Sequence, residues 1–304
     1  MRHSLQNRES MHINRPVIFR TFSGLLIVFT VGFTGCRNNY PGELIASGDN
    51  AVVQTTSGSI AGYNDDGIYT FKGVPYARAE RFMPPEEPYP WKDTLSCRNY
   101  GPKAPQTTEF RSNHRDPDQF IFQYNLESED EKDLFCLNIW TPGLNDGRKR
   151  PVFVWLHGGG YFAGSGHNLD CYEGRSLSQK GDIVVVNLNH RLNVLGFLDL
   201  SAFDEKYATS ANVSVLDMVM ALTWINRNIA QFGGDPGNVT IAGQSGGGGK
   251  VMTLMATPAA KGLFHKAIIQ SGTVMGREMA SGDETRAFGL SVLEELGISK
   301  DNMD

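Results

Sequence analysis

Residues 243–247 form the pattern Gly-x-Ser-x-Gly, with Ser245 at its centre. The β-branched apolar run Val239–Ala242 precedes the pattern and predicts a buried strand, and residues 248–256 predict a helix. A serine on the sharp turn between a strand and a helix holds a strained backbone, with its hydroxyl exposed beside the helix N-terminus. Flanking glycines are required there, because side chains would collide with the neighbouring strand and helix. The pattern predicts that Ser245 is a nucleophile, although a glycine-rich turn with an incidental serine fits the same five residues.

A second glycine-rich stretch, His157-Gly158-Gly159-Gly160, follows the apolar run Pro151–Leu156. Acyl transfer builds negative charge on a carbonyl oxygen, and N–H donors must be fixed where that charge develops. Glycines let the backbone come that close, and such a loop works together with the residue that follows a nucleophilic serine. We therefore predict an oxyanion hole formed by the backbone amides of Gly159, Gly160 and Gly246.

Two nucleotide-binding patterns overlap these loops, and the sequence favours neither. Residues 158–163 match a loose G-x-G-x-x-A dinucleotide fingerprint, but residues 164–168 prolong the loop where a helix would have to begin. Residues 243–250 resemble a phosphate-binding loop, but the first glycine is one residue too early and Val251 replaces the required Ser or Thr. The net charge of −5, without a basic stripe, also argues against a nucleic-acid partner.

The elements that must position these loops alternate between strands and helices. Apolar runs predict strands at 135–140, 151–156, 183–188, 239–242 and 266–270. Helical spacing predicts helices at 172–180, 215–232, 248–256 and 284–296, the second opening on a capping box, Ser214-x-x-Asp217. Residues 51–72 predict short antiparallel strands. This order predicts an α/β fold over residues 51–304, with a mostly parallel central sheet flanked by helices and preceded by a small antiparallel sheet.

Residues 1–36 are predicted to be an export signal rather than part of the fold. Arg15 and Arg20 precede a short apolar run at 24–33, as in a signal peptide. The Thr-Gly-Cys at 34–36 is typical of a bacterial lipobox, which predicts lipidation of Cys36, although Phe33 stands where leucine is usual. We expect a tether at 37–50 and a periplasmic or outer-membrane-attached lipoprotein that contacts the membrane through Cys36. A plain cleaved secretion signal, and hence a secreted protein, fits the same residues.

The cysteines beyond this segment, Cys97, Cys136 and Cys171, are odd in number, so at least one is free in any pairing among them. Their spacings match no zinc site, and no metal ligands are predicted.

Seven segments between residues 71 and 272 carry a family resemblance. They are FKGVPYA from 71, LNIWTP from 137, HGGGYF from 157, NHRLNVLGFL from 189, NIAQFGGDP from 228, VTIAGQSGG from 239 and QSG from 270. Together they resemble the type B carboxylesterases, the α/β-hydrolases that include bacterial p-nitrobenzyl esterases and cholinesterases. The resemblance implies an α/β-hydrolase fold, Ser245 as the nucleophile, a small-molecule ester substrate and no cofactor.

The sequence also departs from this family at four places. Gln244 and Gly246 stand where Glu and Ala are usual on either side of the serine. Ala104 and Leu134 stand where the family has the two cysteines of an early disulfide. That bridge is therefore absent, although a shifted one between Cys97 and Cys136 stays open.

In α/β-hydrolases the acid and the histidine of the triad follow the serine in the chain. After Ser245 the sequence has one histidine, His265, which matches a family position just before the next strand. The acidic residues there lie too soon after the serine: Glu278, Asp283, Glu284, Glu294 and Glu295. No triad acid or histidine is assigned in this chain, and we expect it to be the N-terminal part of the domain, with the C-terminal part missing.

The expected function is therefore hydrolysis of a carboxylic ester through an acyl-enzyme on Ser245. The alternatives are a non-catalytic, cholinesterase-like binding module and an inactive fragment. Of the side chains near the predicted loops, Tyr161 and Phe162 are candidates for a substrate pocket, and core packing explains them equally well.

Overall fold

The described chain begins with short strands and continues with longer buried strands alternating with helices. The computed structural model describes residues 44–45, 51–106, 128–272, 280–299 and 302. The strands are β1 (Leu44–Ile45), β2 (Val52–Gln54), β3 (Ser59–Ala61), β4 (Tyr63–Asp65), β5 (Ile68–Pro75), β6 (Leu95–Ser96), β7 (Cys136–Thr141), β8 (Arg150–Leu156), β9 (Val184–Leu188), β10 (Gly234–Gln244) and β11 (Lys266–Gln270). The α-helices are α1 (Arg175–Gly181), α2 (Asn193–Phe197), α3 (Val213–Asn228), α4 (Gly246–Ala256) and α5 (Gly282–Glu295).

Eight of these strands form one sheet in the order β1-β4-β5-β7-β9-β8-β10-β11. Strand β8 lies between β9 and β10 and runs parallel to both, and β10 is also parallel to β11. The remaining pairs of this sheet are antiparallel: β1 with β4, β4 with β5, β5 with β7, and β7 with β9. The α/β architecture is confirmed, and the sheet is mixed. The parallel strands expected from the sequence are β9, β8, β10 and β11, and the predicted site follows β8 and β10 in this half of the sheet. Strands β2, β3 and β6 form a separate small sheet.

The centre of the large sheet is covered on both faces. Every residue of β7 and of β9 is buried, as their continuous apolar sequences predict. Helix α3 buries Leu222, Ile225 and neighbouring residues in the same core cluster as β8 and β10. The two predicted loops therefore leave the sheet at the ends of well-buried neighbouring strands.

The predicted capping box at the start of α3 is wrong. Asn212 is the N-cap and makes no side-chain cap, so Ser214 and Asp217 both lie inside the helix. The Asp217 carboxylate is fully buried and accepts a hydrogen bond from Arg191 Nη2 at 2.6 Å, while Ser214 Oγ donates to the Arg191 carbonyl at 2.6 Å. Tertiary contacts with the segment after β9 engage both side chains that the local pattern assigned to a cap.

The N-terminal boundary of the sheet lies before residue 51. Two residues of the predicted tether, Leu44 and Ile45, form β1 and pair with β4. The predicted signal segment at 1–36, including Cys36, lies outside the described residues.

The cysteines within the described residues are all free: Cys97 and Cys136 are buried, and Cys171 is exposed. The shifted bridge between Cys97 and Cys136 is therefore not formed. Ala104 and Leu134, at the positions of the family's disulfide, are both buried, so packing holds this part of the chain.

Candidate active site

Ser245 lies on the one-residue turn between β10 and α4. Its backbone has φ 55° and ψ −124°, a conformation that is strained for a residue with a side chain. Its amide donates to the Gln270 carbonyl of β11 at 2.8 Å, and its own carbonyl accepts from Gly249 N at 3.1 Å. The residue is exposed. The turn therefore has the geometry expected of a nucleophile elbow, and the catalytic role of Ser245 stays a prediction.

The glycines on both sides of this turn are sterically required. A Cβ on Gly243 would lie 2.4 Å from the Gly247 carbonyl, and a Cβ on Gly247 would lie 2.1 Å from the Leu156 carbonyl of β8. Real Cβ atoms are not found at such distances from backbone atoms. The elbow is packed against itself and against the end of the neighbouring strand, which fixes where Ser245 stands.

The loop His157–Gly160, which we call the oxyanion loop, follows β8 and meets the elbow backbone to backbone. Gly159 and Gly160 have φ values of 90° and 62°, which favour glycine. A Cβ on Gly246 would lie 2.4 Å from both N and Cα of Gly160. The predicted oxyanion residues of the loop therefore lie directly against the residue that follows Ser245.

The amides in this loop differ in what they bind. Gly158 N donates to the hydroxyl of Tyr172 at 3.4 Å. Within the described residues, the amides of Gly159, Gly160 and Gly246 donate no hydrogen bond to a protein acceptor. Three amides beside a strained serine can hold an oxyanion, because their donors are in place before the charge develops.

Two imidazoles lie behind the oxyanion loop and are structural. His157 donates from Nδ1 to the Gly158 carbonyl at 2.8 Å, and its ring stacks on His190 with centroids 4.9 Å apart. His190 Nδ1 lies 2.9 Å from Ser214 Oγ. Burial first, and the Lys250 amino group second, hold the pKa of both histidines well below the usual range, so both rings are neutral at pH 7.

The remaining described histidines are not placed to act as a base. His167 stacks on Tyr100 at 4.4 Å, and burial lowers its pKa to about 4. His265 Nδ1 accepts from Val239 N at 3.1 Å. Since Val239 and Ser245 are six residues apart along β10, His265 lies about 20 Å from the serine. Among the described residues, no histidine hydrogen-bonds to Ser245.

The acidic residues after the elbow do not form a triad with Ser245 in the described part of the chain. Glu284 caps α5 by accepting from Ser281 N at 2.7 Å, and Asp283 pairs with Arg286 in the same helix at 2.5 Å. Glu294 and Glu295 lie at the other end of α5. Glu278 lies outside the described residues. The described region likewise contains no group of three or more His, Cys, Asp or Glu side chains arranged to hold a metal ion.

Sequence reasoning assigned no role to Lys250, which the structure places beneath the oxyanion loop. Its side chain is fully buried, and Nζ donates to the His157 carbonyl at 2.9 Å. Burial lowers its pKa to about 7. Its place on a buried face of the helix was visible in the sequence, because Gly247, Lys250, Val251 and Leu254 follow the spacing of such a face. The loop that this face meets was not visible there.

A cavity of about 730 Å³ begins at the end of the oxyanion loop. Its wall includes Tyr161, Phe162, Phe197, Val215 and Phe288. Tyr161 is held by a hydrogen bond to Thr253 at 3.1 Å and by an edge contact with Phe197, whereas the side chain of Phe162 is 61% exposed. The cavity is largely aromatic and aliphatic, so it suits an apolar group.

Comparisons with known proteins place this geometry in a family. The sequence profile described as "Carboxylesterase family" matches residues 49–302. The para-nitrobenzyl esterase of Bacillus subtilis is 38% identical over 257 residues, covering 83% of this chain and 49% of that protein. The fumonisin B1 esterase of Sphingopyxis macrogoltabida is 34% identical over 247 residues, covering 79% of this chain and 43% of that protein.

Solved structures agree with the sequence comparisons. An esterase from Clostridium hathewayi, described as hydrolysing aliphatic aromatic polyesters, superposes with a TM-score of 0.78 and is 43% identical, covering 85% of this chain and 50% of that one. A Geobacillus stearothermophilus carboxylesterase gives a TM-score of 0.70 at 39% identity, covering 82% and 48%. The chain thus spans about half the length of the relatives it matches. The fold is that of the α/β-hydrolases, and the chain belongs to the carboxylesterase family.

Proposed function

We propose that this chain carries the nucleophile and the oxyanion hole of a serine carboxylesterase. Ser245 Oγ attacks the ester carbonyl, and the amides of Gly159, Gly160 and Gly246 bind the oxygen that becomes negative. The proton of the Ser245 hydroxyl passes to a general base and from there to the alcohol oxygen, as the bond to that oxygen breaks and the tetrahedral intermediate collapses. An acyl group is left on Ser245, and water then releases it as the acid. The observation that carries the proposal is the strained backbone of Ser245, with the next residue, Gly246, packed against Gly160 of the oxyanion loop.

A fluorophosphonate probe tests this role in the polypeptide produced from the complete gene. We expect one covalent label per chain by intact mass, and its loss in Ser245→Ala. Ser291→Ala is the matched control, since Ser291 is an exposed serine inside α5 whose hydroxyl donates to the Phe288 carbonyl of the same helix. Labelling that persists in Ser245→Ala would disprove the assignment.

The substrate we propose is a small ester with an aromatic or aliphatic group that enters the cavity beside the oxyanion loop. Phe162 is its exposed aromatic side chain next to the predicted donors. Two of the related proteins are named para-nitrobenzyl esterase and fumonisin B1 esterase, and a third is described as hydrolysing aliphatic aromatic polyesters. Aromatic and aliphatic groups in such substrates are compatible with an apolar pocket. A preference that falls steadily as the apolar group is shortened would support this substrate class.

A second candidate is a non-catalytic, cholinesterase-like binding module or an inert chain. It is favoured by one observation: among the described residues no base hydrogen-bonds to Ser245, and a serine hydroxyl without a base is a weak nucleophile at neutral pH. Hydrolysis of p-nitrophenyl acetate by the 304-residue polypeptide discriminates between the two. Turnover clearly above that of Ser245→Ala would rule out the inert alternative.

We also propose that the protein is exported and anchored through a lipid on Cys36. Support comes from Arg15 and Arg20, the apolar run at 24–33 and the Thr-Gly-Cys at 34–36. Radiolabelled palmitate should be incorporated into the protein and lost in Cys36→Ala. Export without incorporation would instead indicate a plain secretion signal.

A further inference from the structure

One face of α4 joins the nucleophile to the oxyanion loop. Lys250 lies four residues after Gly246 and three residues after Gly247, so the three residues share this face. A Cβ on Gly246 would lie 2.4 Å from Gly160 N, and a Cβ on Gly247 would lie 3.0 Å from the His157 carbonyl oxygen. The first and last residues of the loop therefore rest on the first turn of the helix.

Lys250, one turn further along this face, makes the polar contact between the two elements. Its Nζ donates to the His157 carbonyl at 2.9 Å, and its side chain is fully buried. Within the described residues no carboxylate pairs with it. Burying an amino group in this way is costly, whereas a buried carbonyl needs a donor. An amine keeps N–H donors whether or not it is charged, so this bond persists in both protonation states.

His157 connects Lys250 to one predicted oxyanion donor. Lys250 Nζ binds the His157 carbonyl, and the ring of the same residue donates from Nδ1 to the Gly158 carbonyl at 2.8 Å. Because Nδ1 carries a proton in this arrangement, its 3.5 Å approach to Nζ is not a hydrogen bond donated by the lysine. That carbonyl and the amide of Gly159 belong to the same planar peptide and point in opposite directions. Whatever holds the His157 ring and backbone therefore also sets the direction of the Gly159 N–H.

We propose that Lys250 is a positioning residue for the oxyanion hole. It holds His157, and through it the Gly158–Gly159 peptide, against the helix that carries Ser245. This inference rests on the proposed esterase function. Because the oxyanion forms only in the transition state, losing the position of its donors lowers kcat and leaves KM largely unchanged.

The experiment compares Lys250→Met with Lys250→Gln in the polypeptide produced from the complete gene. Methionine fills similar space without a donor, whereas glutamine retains one. We expect kcat to fall at least about tenfold in Lys250→Met, less than the 10²–10³-fold loss of a whole donor, with KM within about twofold. Lys250→Gln should recover most of the loss, and Lys261→Met, at an exposed lysine, should match the wild type.

Three results would overturn the inference. They are a kcat within twofold of the wild type in Lys250→Met, no recovery in Lys250→Gln, and a wild-type His157 ring without a proton on Nδ1. The last is read from ¹⁵N NMR of the ring and does not require any variant to fold. Retention of turnover in Ser245→Ala would contradict the proposed esterase function itself, whereas loss there with full activity in Lys250→Met contradicts only the role of Lys250.

Discussion

At the scale of single residues, Lys250 differs most from what its type predicts. Lysine is almost never fully buried unless it is paired. Here the amino group faces two imidazoles, His157 of the oxyanion loop and His190 of the segment after β9. His190 is followed in the chain by the positively charged Arg191. None of them supplies a negative charge, and burial lowers the pKa of Lys250 from 10.5 to about 7.

This pKa makes stability depend on pH in a defined direction. Between about pH 7 and pH 10.5 the unfolded state binds more protons at Lys250 than the folded state, so the free energy of unfolding rises with pH. Outside that window its contribution is constant. We expect the wild type to gain on the order of a few kcal/mol relative to Lys250→Met across the window, measured by urea unfolding at several pH values. Lys261→Met should show a difference that does not change with pH, and a flat difference for Lys250→Met would contradict the burial argument.

At the scale of elements, α4 begins with four glycines, Gly246–Gly249, in a position where glycine is a poor helix former. Close approach explains at least three of them. Besides the contacts of Gly246 and Gly247, a Cβ on Gly248 would lie 2.9 Å from Gly272 Cα. The helix is therefore stabilised by its packing on β8, β11 and the oxyanion loop rather than by its own sequence.

Gly247→Ala tests this packing. Its Cβ would lie 2.1 Å from the Leu156 carbonyl, so α4 must move away from β8, and we expect more than about 2 kcal/mol of lost stability. Gly249→Ala is the matched control, because its Cβ meets only the tip of Tyr161 at 3.3 Å. Chemical denaturation should show a change within about 1 kcal/mol for the control. Equal effects of the two substitutions would contradict the steric argument.

Helices and strands were predictable where a long run of neighbouring residues carried a clear hydrophobic period. The strand–turn–helix around Ser245 and the buried strand before the oxyanion loop were predicted from periodicity and turn residues. The helix predicted at 215–232 is observed as α3 at 213–228, followed by a 3-10 turn at 229–232. The capping box at Ser214 was not correct, because Arg191 lies far from it in sequence and engages both of its side chains. The short helix α2 has too few residues to give a periodic signal, and it was missed.

The glycines and the serine of the candidate site were predictable from the sequence, because both motifs place glycine where backbones must approach each other closely. The part that sequence reasoning missed, Lys250, depends on which face of α4 meets the oxyanion loop, and that is a tertiary contact. The mixed pairing of the sheet escaped prediction for the same reason. The order of strands along the chain does not fix which edge of the sheet each one joins.

At the scale of the whole molecule, the described sheet ends in β11. All five residues of this strand are exposed, including Ile268 and Ile269 with 42% and 41% of their surface accessible. Within the described residues β11 pairs on one side only, with β10. An exposed apolar edge strand is a site for pairing between copies.

We therefore expect a polypeptide limited to residues 41–304, which keeps β1 on β4, to self-associate at micromolar concentration. Ile269→Lys should raise the monomeric fraction, since a charge on an edge strand opposes pairing. Light scattering coupled to size-exclusion chromatography measures this. Val194→Lys is the control, because Val194 is 50% exposed but lies on α2, which is not a strand of the sheet. A polypeptide that is monomeric without any substitution would contradict the prediction.

The hydrogen bond from Ser245 to Gln270 has a consequence for how the site fails. It ties the strained turn to β11, which is an edge strand in a polypeptide limited to residues 41–304, and edge strands open locally at lower free energy than the core. When β11 detaches, the turn loses a restraint and Ser245 relaxes toward an unstrained conformation. Hydrogen exchange at the Ser245 amide would then follow this local opening rather than global unfolding. Reactivity of the serine would be lost on mild heating while the core strands β7, β8 and β9 stay protected.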